Sequence, residues 1–365
     1  MAGEPLERYR QLRDFAQTSE PSGGAVAEED EPTAAPETEA DGRFVVQEHH
    51  ATSLHWDLRL ERDGVLASWA VPKGIPPHPR RDHLAVRTED HPLEYLEFEG
   101  DIPDGNYGAG RMTLWDRGTY TCYKWEDREV LVTFRGQRTE GRHALFRTRG
   151  NNWMIHRMDP PADPGRELMP TGLRPMRPVS GQLPADPEEW AFQPAWRGIR
   201  VLAASQGGRV ELIDADGVDV TARFPELRVL GAALGVTELI LDGELVVTGP
   251  DGHPDADRLA TRARARSDAV ARRLSASSPA VLMVGDLVWL EGHSCAELPY
   301  RDRRKRLADL NLAGASWLVN PDHPGEGEAM LAAARAQALP GILAKRLDSP
   351  YRPDEASPHW VFVAA

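Results

Sequence analysis

The stretch Leu54–Glu61, LHWDLRLE, alternates apolar and ionisable side chains with a period of two. In an extended strand, residues i, i+2 and i+4 share a face. Leu54, Trp56, Leu58 and Leu60 therefore point one way and His55, Asp57 and Arg59 the other. The apolar side demands a core. The opposite side does not carry the Thr, Lys, Ser or Glu of a solvated face; it places an imidazole, a carboxylate and a guanidinium in register. This segment predicts a half-buried strand whose polar side has a purpose.

The surroundings repeat the strand signal. Residues 43–159 contain RFVVQEH, LHWDLRLE, GVLASWAV, HLAVRT, RMTLWDRGTYTCYKW, VLVTFRG, HALFRTR and NWMIHRM, separated by Gly, Pro and Asp. Many short strands at this spacing predict an antiparallel barrel or sandwich. Residues 160–174 are rich in Pro and Gly and read as a linker. Residues 175–365 mix strands (RVELIDADG, ELILDGELVV, AVLMVGDLVWL) with helices expected near 257–276, 301–310 and 327–338, an α+β pattern. Upstream, Leu6, Tyr9, Leu12 and Phe15 have helical spacing and predict a docking leader, followed at 21–42 by an acidic linker.

Charge and cysteine usage narrow the function classes. The net charge of −14 is uneven: residues 1–42 carry 11 acids against 3 bases, and residues 43–159 carry 18 against 17. The nearly balanced body leaves room for a local basic groove but excludes broad coating of DNA. No segment is apolar enough for a membrane span, and the N-terminus MAGEPLERYRQLRDF has no apolar signal region. The two cysteines, Cys122 and Cys295, form neither a CxxC metal pattern nor a disulfide framework, which fits a reducing cytoplasm.

His49, six residues before His55, completes a His-His-Asp set with His55 and Asp57. Two neutral imidazoles and a carboxylate suit Mn²⁺, Zn²⁺ or Fe²⁺ and leave positions for water and substrate. His50 competes with His49, because adjacent strand residues face opposite ways. Downstream, Glu89 and His91 share a strand face, Tyr95 follows a Pro break, and GDIPDGNYGAG is dense in glycine. Lys73, in WAVPKG, sits at a strand end where an ammonium can meet a phosphate.

Taken together, YRQLRDF, RFVVQEHHATSLHWDLRLERDGVLASWAVPKG, EDHPLEYLEFEGDIPDGNYGAG and NWMIHRMD resemble the 3′-phosphoesterase domain of bacterial ligase D, over residues 6–159 apart from the low-complexity stretch. The resemblance implies a compact β-barrel with flanking short helices. It implies a manganese-dependent trimmer of DNA 3′ ends, which removes a terminal ribonucleoside and then the 3′-phosphate. By position it implies metal ligands at His49, His55 and Asp57, and further active-site residues at Arg59, Glu89, His91 and Tyr95. Lys73 falls on a site-lining position. Arg13, Asp14 and Glu20 match the leader residues that serve the diester step. Phosphate contacts fall to Arg59, Lys73, His83 and His91, with His83 standing where the family usually has Arg. The chemistry agrees: Arg59 offers a bidentate fork to phosphate, and His91 suits either an acid at the leaving oxygen or a transition-state stabiliser.

Residues 175–365 resemble the ligase (nucleotidyltransferase) domain of the same family through PMRPVSGQLP, EEWAFQPAWRGIRVLA, LILDGELVV, GDLVWLEG and GILAKRLDSPYRP. The departures are chemical. Where the family's Lys-x-Asp-Gly motif opens with the adenylated lysine, this chain has Ala195-Trp196-Arg197-Gly198. Alanine has no amine to form a lysyl–AMP bond. Asp242-Gly243-Glu244 and Lys345 survive, Pro340 replaces a family Glu, and VFVAA replaces the final Lys-x-Lys; the expectation is that no oligonucleotide-binding-fold domain follows. The expectation is a degenerate ligase domain that uses neither ATP nor AMP, and separate polymerase, ligase or Ku-type partners at DNA ends. The arginine-rich run DRLATRARARSDAVARRL is a candidate phosphate-facing helix. Two rivals compete: a 2-His-1-carboxylate iron oxygenase, which leaves Arg59, Lys73 and His91 without a role, and a non-catalytic scaffold for DNA ends or proteins.

Overall fold

The computed structural model describes residues 6–23 and 41–365, and these divide into two compact units, Met1–Arg166 and Glu167–Ala365. The expected acidic linker at 21–42 lies mostly outside the described residues. Its described ends are not linker. The Pro21 and Gly23 carbonyls accept from Tyr9 Oη at 2.5 Å and Arg10 Nη2 at 2.9 Å, and residues 41–42 open the first strand.

The first unit opens with a one-turn helix, α1 (Glu7–Gln11), and continues with β1 (Asp41–His50), β2 (Leu54–Arg62), β3 (Val65–Val71), β4 (His83–Arg87), β5 (Gly100–Ile102), β6 (Gly110–Glu126), β7 (Glu129–Gly136), β8 (Glu140–Arg149) and β9 (Asn152–Arg157). The strands run in the order β1-β2-β3-β4-β9-β8-β7-β6, and β1 pairs back onto β6 to close an eight-stranded antiparallel barrel, with β5 added to β6. Closure removes both sheet edges, which for a chain of short strands is the way to satisfy every backbone group.

Side-chain alternation decides what lies inside. Phe44 on β1 and Phe134 on β7 meet at 4.8 Å between ring centroids, although their strands are not neighbours, so this contact crosses the interior. Phe44 is paired with Leu60, and Val45 with Arg59. Leu60, Leu58 and Trp56 thus fill the barrel, and Arg59, Asp57 and His55 stand on its outer wall. That wall is not open to water. Tyr9 from the leader, Tyr95 and Leu96 from the 3₁₀ turn Leu93–Leu96, and Phe98 and Ile102 pack with Val45, Leu66 and Met112 over it. The leader meets this cluster through Tyr9, with Leu6 and Phe15 at its margin, but the expected helical run ends at Gln11 and Leu12 is not part of the cluster.

The second unit contains β10 (Arg177–Ser180), β11 (Trp190–Ala195), β12 (Ile199–Gln206), β13 (Arg209–Asp214), α2 (Arg228–Leu234), β14 (Leu239–Val247), α3 (Ala256–Ala263), α4 (Asp268–Ser277), β15 (Ala280–Leu290), β16 (His293–Ser294), α5 (Tyr300–Asp309), β17 (Ala313–Gly314), β18 (Trp317–Val319), β19 (His323–Pro324), α6 (Gly327–Ala336), β20 (Gly341–Arg346) and β21 (Ala356–Ala364). One sheet has the order β10-β21-β20-β11-β19 and the other β13-β12-β14-β15-β18-β17, with β16 on β15, giving the expected α+β architecture. The single helix expected at 257–276 is two. Asp255 caps α3 by accepting from Arg258 N, and Ser267 caps α4 by accepting from Val270 N, so the chain restarts rather than continues. The expected linker at 160–174 is tied down at two points: Arg157 donates to Pro160 O within the first unit, and Glu167 N donates to Gly292 O within the second.

Candidate functional site

The antiparallel register of β1 and β2 sets His49 directly opposite His55 and Gln47 opposite Asp57. The two imidazole centroids lie 4.7 Å apart. His49 Nδ1 and His55 Nε2 each stand 3.6 Å from an Asp57 oxygen. One donor atom from each of the three residues falls within 4.8 Å of the others. The remaining ring nitrogens face backbone carbonyls: His49 Nε2 is 2.9 Å from Gly108 O, and His55 Nδ1 is 2.9 Å from Ser53 O. In neutral imidazoles these nitrogens carry the proton and donate it, which turns the lone pairs of His49 Nδ1 and His55 Nε2 toward Asp57. His49 Nδ1 is buried and has no hydrogen-bond partner among the described residues. Free, convergent lone pairs with their opposite nitrogens tied to carbonyls are the arrangement of metal-binding histidines. The donor set fits a divalent transition metal. His50 is excluded from it. It lies on the other face of β1, is exposed, and pairs with Glu48 at 2.7 Å.

Asp57 is almost fully buried. Burial opposes its charge, but the Arg59 guanidinium beside it overrides that effect and holds its carboxyl below the usual range. Arg59 is only 2% exposed; Nη2 donates to Asp57 Oδ2 at 2.9 Å, Nε donates to Gln47 Oε1 at 2.7 Å, and the guanidinium lies over the Tyr95 ring at 4.8 Å. Its Nη1 is buried with no partner among the described residues. An orphaned cationic donor beside a metal-type ligand set is a ready contact for an anionic oxygen.

The leader completes the wall. Arg13 donates to Glu20 at 2.7 Å, to Glu89 at 3.0 Å and to the Tyr9 carbonyl at 3.3 Å, and its Nη2 reaches His91 Nε2 at 3.2 Å. Because Arg13 can only donate, His91 accepts at Nε2 and gives its Nδ1 proton to Glu89 O at 2.9 Å. Burial, then the charges of Arg59 and Arg13, push His91 well below the ordinary imidazole value, so it is neutral here. Tyr95 donates to Glu20; burial keeps its hydroxyl protonated far above the ordinary range.

A cavity of about 240 Å³ brings together Arg13, Glu20, His49, His55, Asp57, Arg59, Glu89, His91 and Tyr95. Three residues expected there are elsewhere. Asp14 is exposed and closes its own turn, accepting from Ala16 N at 3.1 Å and Gln17 Nε2 at 2.7 Å. Lys73 is exposed in the turn after β3 and does not line the cavity. His83 is buried, its Nδ1 at 2.7 Å from Gly74 O beneath that same turn, and it does not line the cavity either. Sequence spacing missed Gln47 and Tyr107. Gln47 is fully buried; besides accepting from Arg59, it donates to Tyr95 O and Phe98 O at 3.0 and 2.8 Å, fixing the 3₁₀ turn to β1. Its place two residues before His49 was the available signal. Tyr107 lines the cavity from the glycine-rich loop, and only tertiary structure brings it there.

In the second unit, Ala195 ends β11 and is buried. Arg197 takes a left-handed backbone, φ +55°, and Gly198 N donates to Glu244 at 3.0 Å. Asp242 is fully buried and accepts from Arg200 at 2.6 Å and from Tyr351 Oη at 2.6 Å. Lys345 is also fully buried; it donates to Gly285 O at 2.8 Å and lies 4.0 Å from the Trp360 ring centroid. Burial pulls its amine down to about 8. In the arginine-rich run, Arg262 is not phosphate-facing: it is buried and donates to Glu226 at 2.6 Å, Arg223 O at 3.0 Å and Ala271 O at 2.9 Å.

Comparison with known proteins agrees with this division. Residues 47–147 match the family model for the DNA ligase D 3′-phosphoesterase domain, and residues 177–363 match that for the ATP-dependent DNA ligase domain. The multifunctional non-homologous end joining protein LigD of Mycobacterium bovis is 40% identical over 98% of this chain and 44% of its own length. That of Pseudomonas aeruginosa is 33% identical over 99% of this chain and 47% of its own. The chain thus spans about half the length of the curated relatives it matches. Among solved structures, a mycobacterial DNA ligase D complexed with ATP and MES is 33% identical with a TM-score of 0.46, over 53% of this chain and 60% of that one. The chain therefore belongs to the ligase D family of end-joining proteins, with a 3′-phosphoesterase domain followed by an ATP-dependent DNA ligase domain.

Proposed function

We propose that the first unit is a metal-dependent hydrolase that heals DNA 3′ ends. It takes off a terminal ribonucleoside and then the remaining 3′-phosphate to leave a 3′-OH. The observation that carries this reading is the convergent group of His49, His55 and Asp57, with the buried, unpartnered Nδ1 of His49 beside the orphaned Nη1 of Arg59. His49, His55 and Asp57 would hold the metal, Mn²⁺ being the ion the resemblance favours. When bound, the ion supplies Lewis acidity at a phosphoryl oxygen and an acidified water. Arg59 orients a non-bridging oxygen through Nη1 while Gln47 and Asp57 keep the guanidinium from turning. Burial, with the charges of Arg59 and Arg13, holds His91 neutral, and a phosphate that offset those charges would favour its protonation. Arg13 and Glu20 wall the site, and Tyr95 is locked between Glu20 and Arg59. An iron oxygenase accounts for the ligands but not for this ring of phosphate-type donors.

In the same reading, the second unit keeps the ligase fold without forming an enzyme–adenylate. It holds two lysines, Lys305 and Lys345, and position 195 is alanine. Lys345 is sealed against Trp360 and Gly285, and the cavity of about 570 Å³ beside Trp196 and Arg197 is also lined by Asp251, Asp255 and Asp257, unfavourable for a nucleotide triphosphate. Sealing of ends then falls to a separate ligase, with a polymerase and a Ku-type end binder as further partners.

The test uses a labelled primer–template with one 3′-terminal ribonucleotide, beside a 3′-phosphate end, with Mn²⁺ and the His55→Ala variant. Stepwise conversion to 3′-phosphate and then 3′-OH, lost in the variant, is expected. No turnover of either end with any divalent metal would refute the hydrolase reading and favour a DNA-end scaffold. Intact-mass analysis after incubation with ATP and Mg²⁺ tests the second unit: an adenylated peptide would refute the inactive-ligase reading.

A further inference from the structure

Tyr107 is the one feature of the cavity that faces outward. Its residue is 49% exposed, against nearly complete burial for His49, Asp57, Arg59, Glu89 and His91. The loop that carries it is fixed. Asn106 N donates to Pro103 O and Ala109 N to Asn106 O, both at 3.2 Å. Gly105 and Gly108 occupy left-handed backbone at φ +90° and +76°, where a side chain would be strained. A Cβ on Gly110 would fall 2.3 Å from His50 O, so the loop is held hard against β1. The carbonyl that orients His49 belongs to Gly108, the next residue after Tyr107. The guanidinium of Arg13 lies 5.5 Å from the Tyr107 ring centroid and supports it from within. An aromatic ring is thus placed at the rim of the candidate metal site with much of its surface open to water.

The cavity is small, about 240 Å³. Pockets that enclose a whole small ligand run from roughly 300 to 1,000 Å³. At that volume a whole nucleotide would not be enclosed, and a base attached to a phosphate seated beside Arg59 would lie toward the rim. We propose that Tyr107 is the stacking platform for the base of the 3′-terminal nucleoside, and so a specificity-determining residue for the diester step over the phosphate step. This rests on the hydrolase reading above. A tyrosine face accepts any base, so the platform selects for a nucleoside without reading its sequence.

The experiment compares Tyr107→Ala and Tyr107→Phe with the parent on three ends: a 3′-terminal ribonucleotide, the same end with the terminal base removed, and a 3′-phosphate. Loss of one stacked base corresponds to roughly 5- to 150-fold in binding. The expected result is a rise of that order in KM for the base-bearing end in Tyr107→Ala, with kcat little changed. The abasic and 3′-phosphate ends should rise far less, and Tyr107→Phe should restore binding. An equal loss on all three ends would overturn the proposal and assign Tyr107 to positioning of the Gly108–His49 contact. No change on any end would overturn it too. A binding measurement separates this from the hydrolase reading: 2-aminopurine as the terminal base, with Mn²⁺ present throughout, should be quenched by the parent and by Tyr107→Phe but not by Tyr107→Ala. Such quenching without turnover would keep the platform and sink the hydrolase; turnover without tyrosine-dependent quenching would do the reverse.

Discussion

Asp57→Asn isolates the electrostatic role of the carboxylate, since the amide has nearly the same shape. In the parent, Asp57 accepts from Arg59 at 2.9 Å and lies 3.6 Å from each histidine nitrogen. Both partners are nearly fully buried, so removing the anion leaves Arg59 as a buried charge without its counter-ion. Breaking a buried pair costs roughly 3–5 kcal/mol. The asparagine keeps one acceptor for Arg59, which places the metal-free variant near the low end, about 3 kcal/mol. For a unit of this size that is about 6–12 °C in Tm. Metal adds an independent effect. A ligand at 100 times its Kd stabilises the folded form by about 2.7 kcal/mol. The parent gains this with Mn²⁺, and the variant, lacking the only anionic ligand of the group, gains little at the same concentration. Scanning calorimetry with and without Mn²⁺ reads both, because the transition that moves with metal is that of the first unit. An equal metal-induced shift in parent and variant would refute the ligand assignment, and an unchanged metal-free Tm would refute the buried-pair argument.

Three further outcomes follow from particular contacts. Arg13→Ala strands Glu20 and Glu89 as buried carboxylates, so the leader should open at least tenfold more often; limited trypsin digestion at Arg8 and Arg10 checks this, and unchanged cleavage would count against leader docking. His50→Ala should leave Mn²⁺ affinity unaltered by calorimetric titration while His49→Ala abolishes it, because the two imidazoles lie on opposite faces of β1. Lys345 has a folded pKa of about 8, below the ordinary lysine value, so the unfolded chain binds more protons and stability rises with pH between about 8 and 10.4. Lys345→Met should therefore stabilise the second unit at pH 7 by about 1–3 kcal/mol, with the gain vanishing by about pH 10.5; denaturant unfolding across that range tests the sign, and a variant less stable at pH 7 would refute it.

The clustering of His55, Asp57 and Arg59 on one face was legible because it is local. His55, Asp57 and Arg59 share a strand, and period two alone puts them on one face. Asp14 and Lys73 looked equally good as chemistry but fell outside the cavity, because their backbone leaves in turns that point them to solvent. His83 likewise lies outside the cavity lining, with its Nδ1 at 2.7 Å from Gly74 O. The six arginines of residues 257–274 illustrate the same limit: helical spacing says nothing of a neighbouring acid, and Glu226 took Arg262 into the core.

By itself the sequence determined the strand-rich first half, the α+β second half, the face shared by His55, Asp57 and Arg59, and the loss of an amine at position 195. Each of these depends on side-chain identity and on a periodicity of a few residues. The choice of His49 over His50 belonged to the tertiary structure, since it depends on the register between β1 and β2. So did the union of Arg13, Glu20, Glu89 and His91 around one cavity, the pairing of half-buried Arg200 with buried Asp242, and the standing of Tyr107 at the rim. These are contacts between segments far apart in the chain. In the first unit, closing the barrel and burying its outer wall fixes them together, and no local pattern encodes which distant partner a buried charge will find.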